Sequence, residues 1–563
     1  MQKITPRYAG RVHIEAEPYE AMVHSHTALM QGLSASEVIY GVNTEVGGSS
    51  NTRPDDISAL QRVLTRKLSY GVLPASTRDP RSPYQGDLVR AAILFRINSL
   101  VKGYSGVHPV IISRLQALLT HNIIPMVPPR GSISASGDLS PLAHISGAIQ
   151  GKPSIRVLSS VRSGKDAYAD EALAQAGLQP VFLTAKEGLA IVNETVISAA
   201  CGALVLHDTN QLAVLSQILT AMTVKVLHLS PESFDALFAE VLPHPDQSRQ
   251  PETSGCSSVA LNWPRSKTGR TTASCARIHI PYGRRRSGLS VLENLLLANQ
   301  QISIECNSTT DNLLISRDRK FLHGGNFQAK AVTSAMEKSR QAVQMIGRMM
   351  LTHRGAQPVG NLGSLAGPVT YVVNAEMGNQ SLNSLALISA RYTATAVKAL
   401  TGHAAAHLLS VFQALDLRAM QQQFLGGIRA EFLELSRRLV EEQQQSTDRN
   451  NPCRDLPSTL WAHLQEILDQ TLARGDASPL LGTASKRMYL FVRKTLGVPF
   501  LYTAVILTPT AETTATGPRT VEKTPTVGSY TSLLYRAIRR ADFQPVMQEL
   551  LEGCWASDDE RDR

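Results

Sequence analysis

Aromatic side chains are scarce in this chain: Phe, Trp and Tyr make up 5% of its 563 residues. A protein that tracks single-stranded nucleic acid needs aromatic platforms interleaved with basic residues, and nothing here supplies that pattern. Cysteine is scarce as well. The six cysteines, at positions 201, 256, 275, 306, 453 and 554, form no CxxC pair and no zinc-like spacing. Neither a metal site nor a disulfide framework is expected, and the thiols read as free in a reducing cytosol. Long apolar runs are also missing. The richest stretch, Leu189 to Leu206, is broken by Glu194, so no membrane partner is expected. Met1 to Arg11 carries early charge without an apolar core, unlike a secretory signal. A cytoplasmic enzyme or scaffold is what these absences leave.

What is present is a large, globular, basic chain. Its apolar fraction is 43% and its net charge +10, and the length suits several domains or one elongated helical body. The charge is not spread evenly. Between Arg249 and Leu289 lie Arg249, Arg265, Lys267, Arg270, Arg277, Arg284, Arg285 and Arg286 against one acid, Glu252, so this segment carries +7 of the net +10. A surplus confined to one stretch is a local anomaly rather than a nucleic-acid footprint.

The first 190 residues mix short apolar runs with Gly, Ser and Pro, and the pattern turns helical from Thr184. Met336, Val343, Ile346 and Met350 recur at near-helical spacing within Ala329 to Leu351, with Lys338, Arg340 and Arg348 on other faces. Ala386 to Leu417 predicts a long alanine-rich helix and Leu425 to Gln445 an amphipathic one. Thr447 to Leu456 and Thr508 to Thr526 predict polar breaks, and Ser557 to Arg563 a frayed end. The fold expected is mainly α: a long helical bundle core with a mixed N-terminal domain and a shortened C-terminal helical insertion. The expected domains are 1–205, 206–420 and 421–563.

One segment carries chemistry. Pro129 to Gly151 reads PRGSISASGDLSPLAHISGAIQG, with Ala135-Ser136-Gly137 at its heart. Small residues around a serine let the backbone bend sharply. The glycine amide nitrogen can then reach the alanine carbonyl carbon, and ring closure with loss of water yields an electrophilic methylidene-imidazolone. An isolated Ala-Ser-Gly is usually an ordinary loop, but the longer string is far more specific. It resembles the signature of the aromatic amino acid ammonia-lyases, and of fungal phenylalanine ammonia-lyases in particular. Further motifs resemble the same family in the same order: YGVNTEVGGSSNTR from Tyr40, KEGLAIVNETVISA from Lys186, ECNSTTDNLLI from Glu305, HGGNFQ from His323, and AEMGNQSLNSLALISAR from Ala375. The resemblance runs from about Arg11 to Gln422.

The resemblance implies a 4-methylidene-imidazol-5-one (MIO) formed autocatalytically from Ala135, Ser136 and Gly137, with no external cofactor. It implies Tyr40 as the base that takes the β-proton. Asn193, Asn312, Glu376, Asn379 and Gln380 would orient the ring, the amine and the leaving ammonia, with Phe327 beside them. Leu68, after Lys67, falls at the ring-selectivity position; an apolar residue there favours phenylalanine over tyrosine or histidine. A small aromatic amino acid substrate, a homotetramer and a role in fungal secondary metabolism are implied as well. Two alternatives share the scaffold: an MIO-dependent aminomutase and a catalytically impaired paralogue.

The chain departs from the family pattern in several places. Glu45-Val46 follows Thr44 where the family has Gly-Phe; Glu194 replaces a glycine between Asn193 and Thr195; Leu313 replaces a proline. A charge at Glu194, beside the asparagine that supports ring formation, is expected to perturb cyclisation. After Leu351 only THRGAQPVGNLGSL precedes Ala366, where the family carries several tens of residues of helix. The largest departure is the basic segment. There the family has a Tyr and an Arg that binds the substrate carboxylate, in a stretch like Ile-Leu-Arg-Gln-Asp-Arg-Tyr-Pro-Leu-Arg-Thr-Ser-Pro-Gln-Trp-Leu. Here Ala273 to Leu289 reads ASCARIHIPYGRRRSGL. Joining the third base of each codon to the first two of the next permits Ile-Leu-Arg-Gln-Asp-Ser-Tyr-Pro-Leu-Arg-Thr-Ser-Pro-Gln-Trp-Leu. The same operation from Gln250 to Ser257 permits Ala-Gly-Asn-Ile-Arg-Leu-Leu, again close to the family. Residues 249–290 therefore read as a stretch in the wrong frame, through a gene-model error or a lesion in the gene, which also accounts for the local arginine surplus.

Overall fold

The computed structural model of the chain describes residues 12–15, 17–71, 73, 85–128, 132–135, 139–159, 165–226, 237–241, 291–352, 372–375, 380–445, 476–478, 481, 483–501 and 526–549. In chain order its elements are α1 (Glu17–Ser34), α2 (Ile57–Leu68), α3 (Gln85–Leu100), α4 (Pro109–Thr120), β1 (Ile123–Pro125), α5 (Leu139–Ile149), β2 (Arg156–Ser159), β3 (Lys165–Tyr168), α6 (Ala169–Gln175), α7 (Glu187–Val192) and α8 (Val196–Val226). There follow α9 (Leu237–Val241), α10 (Val291–Cys306), β4 (Leu314–Ile315), β5 (Phe321–Leu322), α11 (Lys330–Thr352), β6 (Val372–Ala375), β7 (Gln380–Ser384), α12 (Ala386–Gln445), α13 (Thr483–Leu490) and α14 (Val527–Arg539). The mainly α expectation holds, and the strands fall where the N-terminal half was expected to be mixed and beside two of the motif loops.

The chain divides into two compact units, each discontinuous in sequence. The first comprises Met1–Asn210, Leu292–Gln344 and Asn361–Val397; the second comprises Gln211–Val291, Met345–Gly360 and Lys398–Arg563. In the first, β1, β2 and β3 form an antiparallel sheet in which Ile124 pairs with Leu158 and Val157 with Ala167. Helices α2, α5 and α7 pack on one another. In α5, every residue from Ser140 to Ile149 is buried, as an apolar helix of small residues requires when it has neighbours all round.

In α11 the stripe expected from the sequence is inside: Met336, Val343, Ile346 and Met350 are all buried. Arg340, expected on a face away from that stripe, is inside as well. It is buried, paired with Glu337 and 3.4 Å from Ser389 Oγ and Thr393 Oγ1. The two helices expected over Ala386 to Gln445 are a single helix of 60 residues; residues 418–424 contain neither proline nor glycine to stop it. The stretch Glu187–Thr223 also corrects an expectation. It is long and apolar enough to cross a membrane, but 94% of its most apolar window is buried inside the fold, as in a core helix.

The second unit has its own buried polar knot. Asp416 on α12 accepts a 2.5 Å hydrogen bond from Tyr489 Oη and pairs with Arg493. Arg493 also donates to the carbonyls of Val498 and Pro499. Burial pushes both the Asp416 carboxyl and the Tyr489 phenol upward. The expected breaks at 447–456 and 508–525, the segment 353–365, the anomalous stretch 249–290 and the tail 557–563 lie outside the described residues.

Candidate active site

Direct hydrogen bonds in the first unit tie together several of the elements that carry the described motif residues. Tyr40 stands at the start of a turn that Gly41 completes at φ +67°. A Cβ on Gly41 would sit 2.2 Å from Leu189 Cδ2, so with its left-handed φ the position favours glycine where the Tyr40 loop lies against α7. The Tyr40 ring packs on a cluster of Ala28, Leu29, Ile39, Val42, Ala185, Leu313 and Ile315. Leu313, which stands where the family has proline, is thus part of the floor under the candidate base. The loop then folds back: Gly47 N–H donates to Tyr40 Oη at 2.8 Å.

Gln61, on α2, fastens this loop to α7. Its amide donates to Gly41 O at 2.9 Å and accepts from Leu189 N–H at 3.0 Å. Helix α7 ends at Asn193, which is buried. The same α2 ends at Leu68, half-buried, and Lys67 beside it is exposed. The turn after α2 is tied to α5: Ser140 Oγ donates to Tyr70 O at 3.1 Å, and Ser69 Oγ reaches Ala143 O at 3.5 Å. One helix therefore places Leu68, the Tyr40 loop and the Asn193 helix in fixed register with the element that follows the Ala-Ser-Gly triplet.

The HGGNFQ loop joins the remaining pieces. Tyr40 N–H donates to His323 Nε2 at 3.4 Å, and Gly324 N–H donates to Asn312 Oδ1 at 3.3 Å. Phe327 is buried, and its ring lies where a Cβ on Gly325 would come within 1.8 Å. Gln328 O accepts from Ser384 N–H and Oγ at the end of β7; the backbone of Gln380 opens that strand.

Ahead of the triplet, Ser134 takes a left-handed φ of +85°. Its carbonyl accepts from Leu387 N–H at 3.0 Å and its Oγ from Ile388 N–H at 3.1 Å, at the first turn of α12. Ala135 is buried. Ser136, Gly137, Glu376 and Asn379 lie outside the described residues. The triplet is thus approached from a pinned, sharply bent Ser134-Ala135 and left through α5, which starts at Leu139.

Beside Asn193 and Asn312 lies a buried group of four charges. Arg96 on α3 is ion-paired with Glu194, and its Nη2 stands 4.0 Å from Asp311 Oδ2; Lys186 Nζ lies 3.0 Å from the same oxygen. Burial pushes the Glu194 carboxyl up and the Lys186 ammonium down, each opposed by its partner. The Glu194 carboxylate is taken up by Arg96 and Ser99, with Thr310 N–H 3.3 Å away.

Gln61, His323, Ser134 and Arg96 were not assigned from sequence. His323 and Ser134 were within quoted motifs. Gln61 had a weak signal: it is a polar residue on the stripe Ile57, Gln61, Leu64, Leu68, where helical spacing calls for an apolar one. Buried Cys201 and Cys306 are free, with thiols pushed up to about 11 and about 12 by burial.

Comparison with known proteins identifies the family. The sequence model described as aromatic amino acid lyase matches residues 3–357 and 354–438. The break between the two matches falls in the segment after Leu351 that is short here. A phenylalanine ammonia-lyase of Aspergillus lentulus is 35% identical over 647 positions, covering 94% of this chain and 88% of that protein. A phenylalanine aminomutase (L-beta-phenylalanine forming) of Talaromyces islandicus is 33% identical over 655 positions, covering 98% of this chain and 90% of that protein. Both alignments are longer than the 563 residues of the chain, so each relative carries residues this chain lacks. The crystal structure of phenylalanine ammonia-lyase from Rhodosporidium toruloides superposes with a TM-score of 0.75 at 28% identity, over 98% of this chain and 94% of that one.

Proposed function

We propose, from the premise that this chain belongs to the aromatic amino acid lyase family, that it is a phenylalanine ammonia-lyase converting L-phenylalanine to trans-cinnamate and ammonia. The observation that carries the reading is the convergence of separated motifs. The Tyr40 loop, the Asn193 helix, Asn312 and the HGGNFQ loop are joined by direct hydrogen bonds through Gln61, His323 and Gly324.

The family depends on an MIO ring, and the residues here fit one: Ala-Ser-Gly is the required donor set, Ala135 is buried, and Ser134 supplies the bend before it. Once formed from Ala135, Ser136 and Gly137, the ring supplies an electrophile for the substrate's amine. Tyr40, in its phenolate form, takes the β-proton at its phenolic oxygen and becomes the neutral phenol. The Gly47 N–H on that oxygen is an interaction that strengthens as the oxygen becomes negative. Asn193 and Asn312, each held in place through its backbone or its loop, orient the reacting groups, with Glu376, Asn379 and Gln380 as further polar partners. Leu68 and Phe327 give the aromatic ring apolar walls, which offer no partner to a ring hydroxyl or imidazole and so favour phenylalanine. A cytoplasmic homotetramer supplying cinnamate to secondary metabolism completes the proposal.

The Talaromyces islandicus relative, matching 98% of the chain, supports a second reading, an aminomutase that returns the amine to the β-carbon. Chromatography of the products from L-phenylalanine separates the two. Trans-cinnamate with equimolar ammonia is expected; β-phenylalanine as the main product would replace the lyase reading.

A further inference from the structure

Glu194 departs from the family's pattern, yet its surroundings are built for it. It sits between α7 and α8, one residue after Asn193, with its side chain 1% exposed. Its carboxylate binds Arg96 and accepts from Ser99 Oγ, and Thr310 N–H donates to it at 3.3 Å. Arg96 also donates to Ala190 O, inside α7. At the other end of α7, Lys186 caps the helix in a left-handed conformation and reaches Asp311 Oδ2 at 3.0 Å. Asp311 Oδ1 in turn accepts from Asn312 N–H at 2.8 Å. Alongside, Thr195 N–H donates to Thr310 Oγ1 at 3.3 Å.

These contacts link both ends of a six-residue helix to the three consecutive residues Thr310, Asp311 and Asn312. Within the group, two cations face two anions, all out of water. Asp311 alone would leave one buried cation without a counter-charge, and an unbalanced buried charge is strongly unfavourable. Glu194 supplies the second negative charge, and does so at the residue adjoining Asn193.

We propose that Glu194 is a positioning residue: its negative charge, by neutralising Arg96, holds the Asn193 corner and the Asn312 loop in one register. This rests on the lyase reading for its catalytic consequence, but its structural core does not. Glu194→Gln keeps the shape and the acceptor oxygen and removes the charge; Glu194→Asp keeps the charge.

The experiment has two arms on the full chain. In the first, hydrogen exchange is followed in peptides spanning 187–196 and 308–314. Glu194→Gln should raise exchange in both together, Glu194→Asp should restore part of the protection, and a peptide around Asp416 should not change. In the second, the mass deficit of two waters that marks ring closure is followed with kcat and KM. Glu194→Gln should close the ring more slowly. In its closed fraction, kcat should fall about ten- to hundredfold with KM little changed, as expected when reacting groups are misplaced rather than removed. Unchanged exchange in either segment, or lost protection with wild-type ring closure and kcat, overturns the proposal. If wild type itself shows neither deficit nor turnover, the lyase reading fails, and the exchange arm alone decides the role of Glu194.

Discussion

Glu194 and residues 249–290 both break the family's pattern, and they break it in different ways. Glu194 is one changed residue, and the fold holds what it needs: Arg96, Ser99 and the Thr310 N–H around its carboxylate. In 249–290 the Arg and Tyr expected from the family resemblance are both replaced, and the genetic code permits a shifted reading of the stretch that would restore them. Substitution followed by compensation leaves the motif legible around it. A frame change erases the motif while sparing what lies on both sides, and the segments on both sides here, KEGLAIVNET and ECNSTTDNLLI, stay recognisable apart from Glu194 and Leu313. The first departure has its partners in the fold; the second is the one for which we propose a shifted reading frame.

The comparison can be broken first on its intact side. Tyr40→Phe removes only the oxygen that receives the β-proton, and the ring keeps its place against its apolar cluster. Turnover should drop by about 10²- to 10⁴-fold, the usual contribution of a positioned base, while the mass deficit persists. Near-normal turnover in steady-state assays would assign the base elsewhere.

The other side is sharpened by restoring the alternative frame over 249–290, together with the helical segment missing after Leu351. A lost bidentate carboxylate contact costs on the order of 2–5 kcal/mol, which is roughly tens- to thousands-fold in substrate use. The restored chain should therefore exceed the written one in kcat/KM by about that factor. Equal activity of the two chains, with the transcript confirming the written frame, would show that the arginine cluster has a function of its own.

The same contrast explains what the sequence made legible. Tyr40, Asn193, Asn312 and Phe327 were named because the resemblance lies in short contiguous strings, and hydrogen bonds in the fold join the loops and helices that carry Tyr40, Asn193 and Asn312. Gln61 was missed because its two partners, Gly41 and Leu189, are 20 and 128 residues away; nothing local marks a residue that works by bridging. The expectation that Glu194 would disturb ring closure was framed from its neighbour Asn193 alone. The side chain that takes up its charge, Arg96, comes from another helix. Arg340 was set apart from the apolar stripe for the same reason: nothing local shows that Glu337, Ser389 and Thr393 surround it inside the fold. Helix α12 was divided in two because its composition changes along its length, although no residue between the two parts ends a helix.

The central claim is that this chain makes its own electrophile from Ala135, Ser136 and Gly137. Intact-mass spectrometry of the purified protein tests it most directly, alongside Ser136→Ala. The chain should weigh two waters less than its sequence requires, and the variant, after allowing for the substitution, should show no deficit and no turnover. A wild-type mass equal to that of the unmodified sequence would contradict the account.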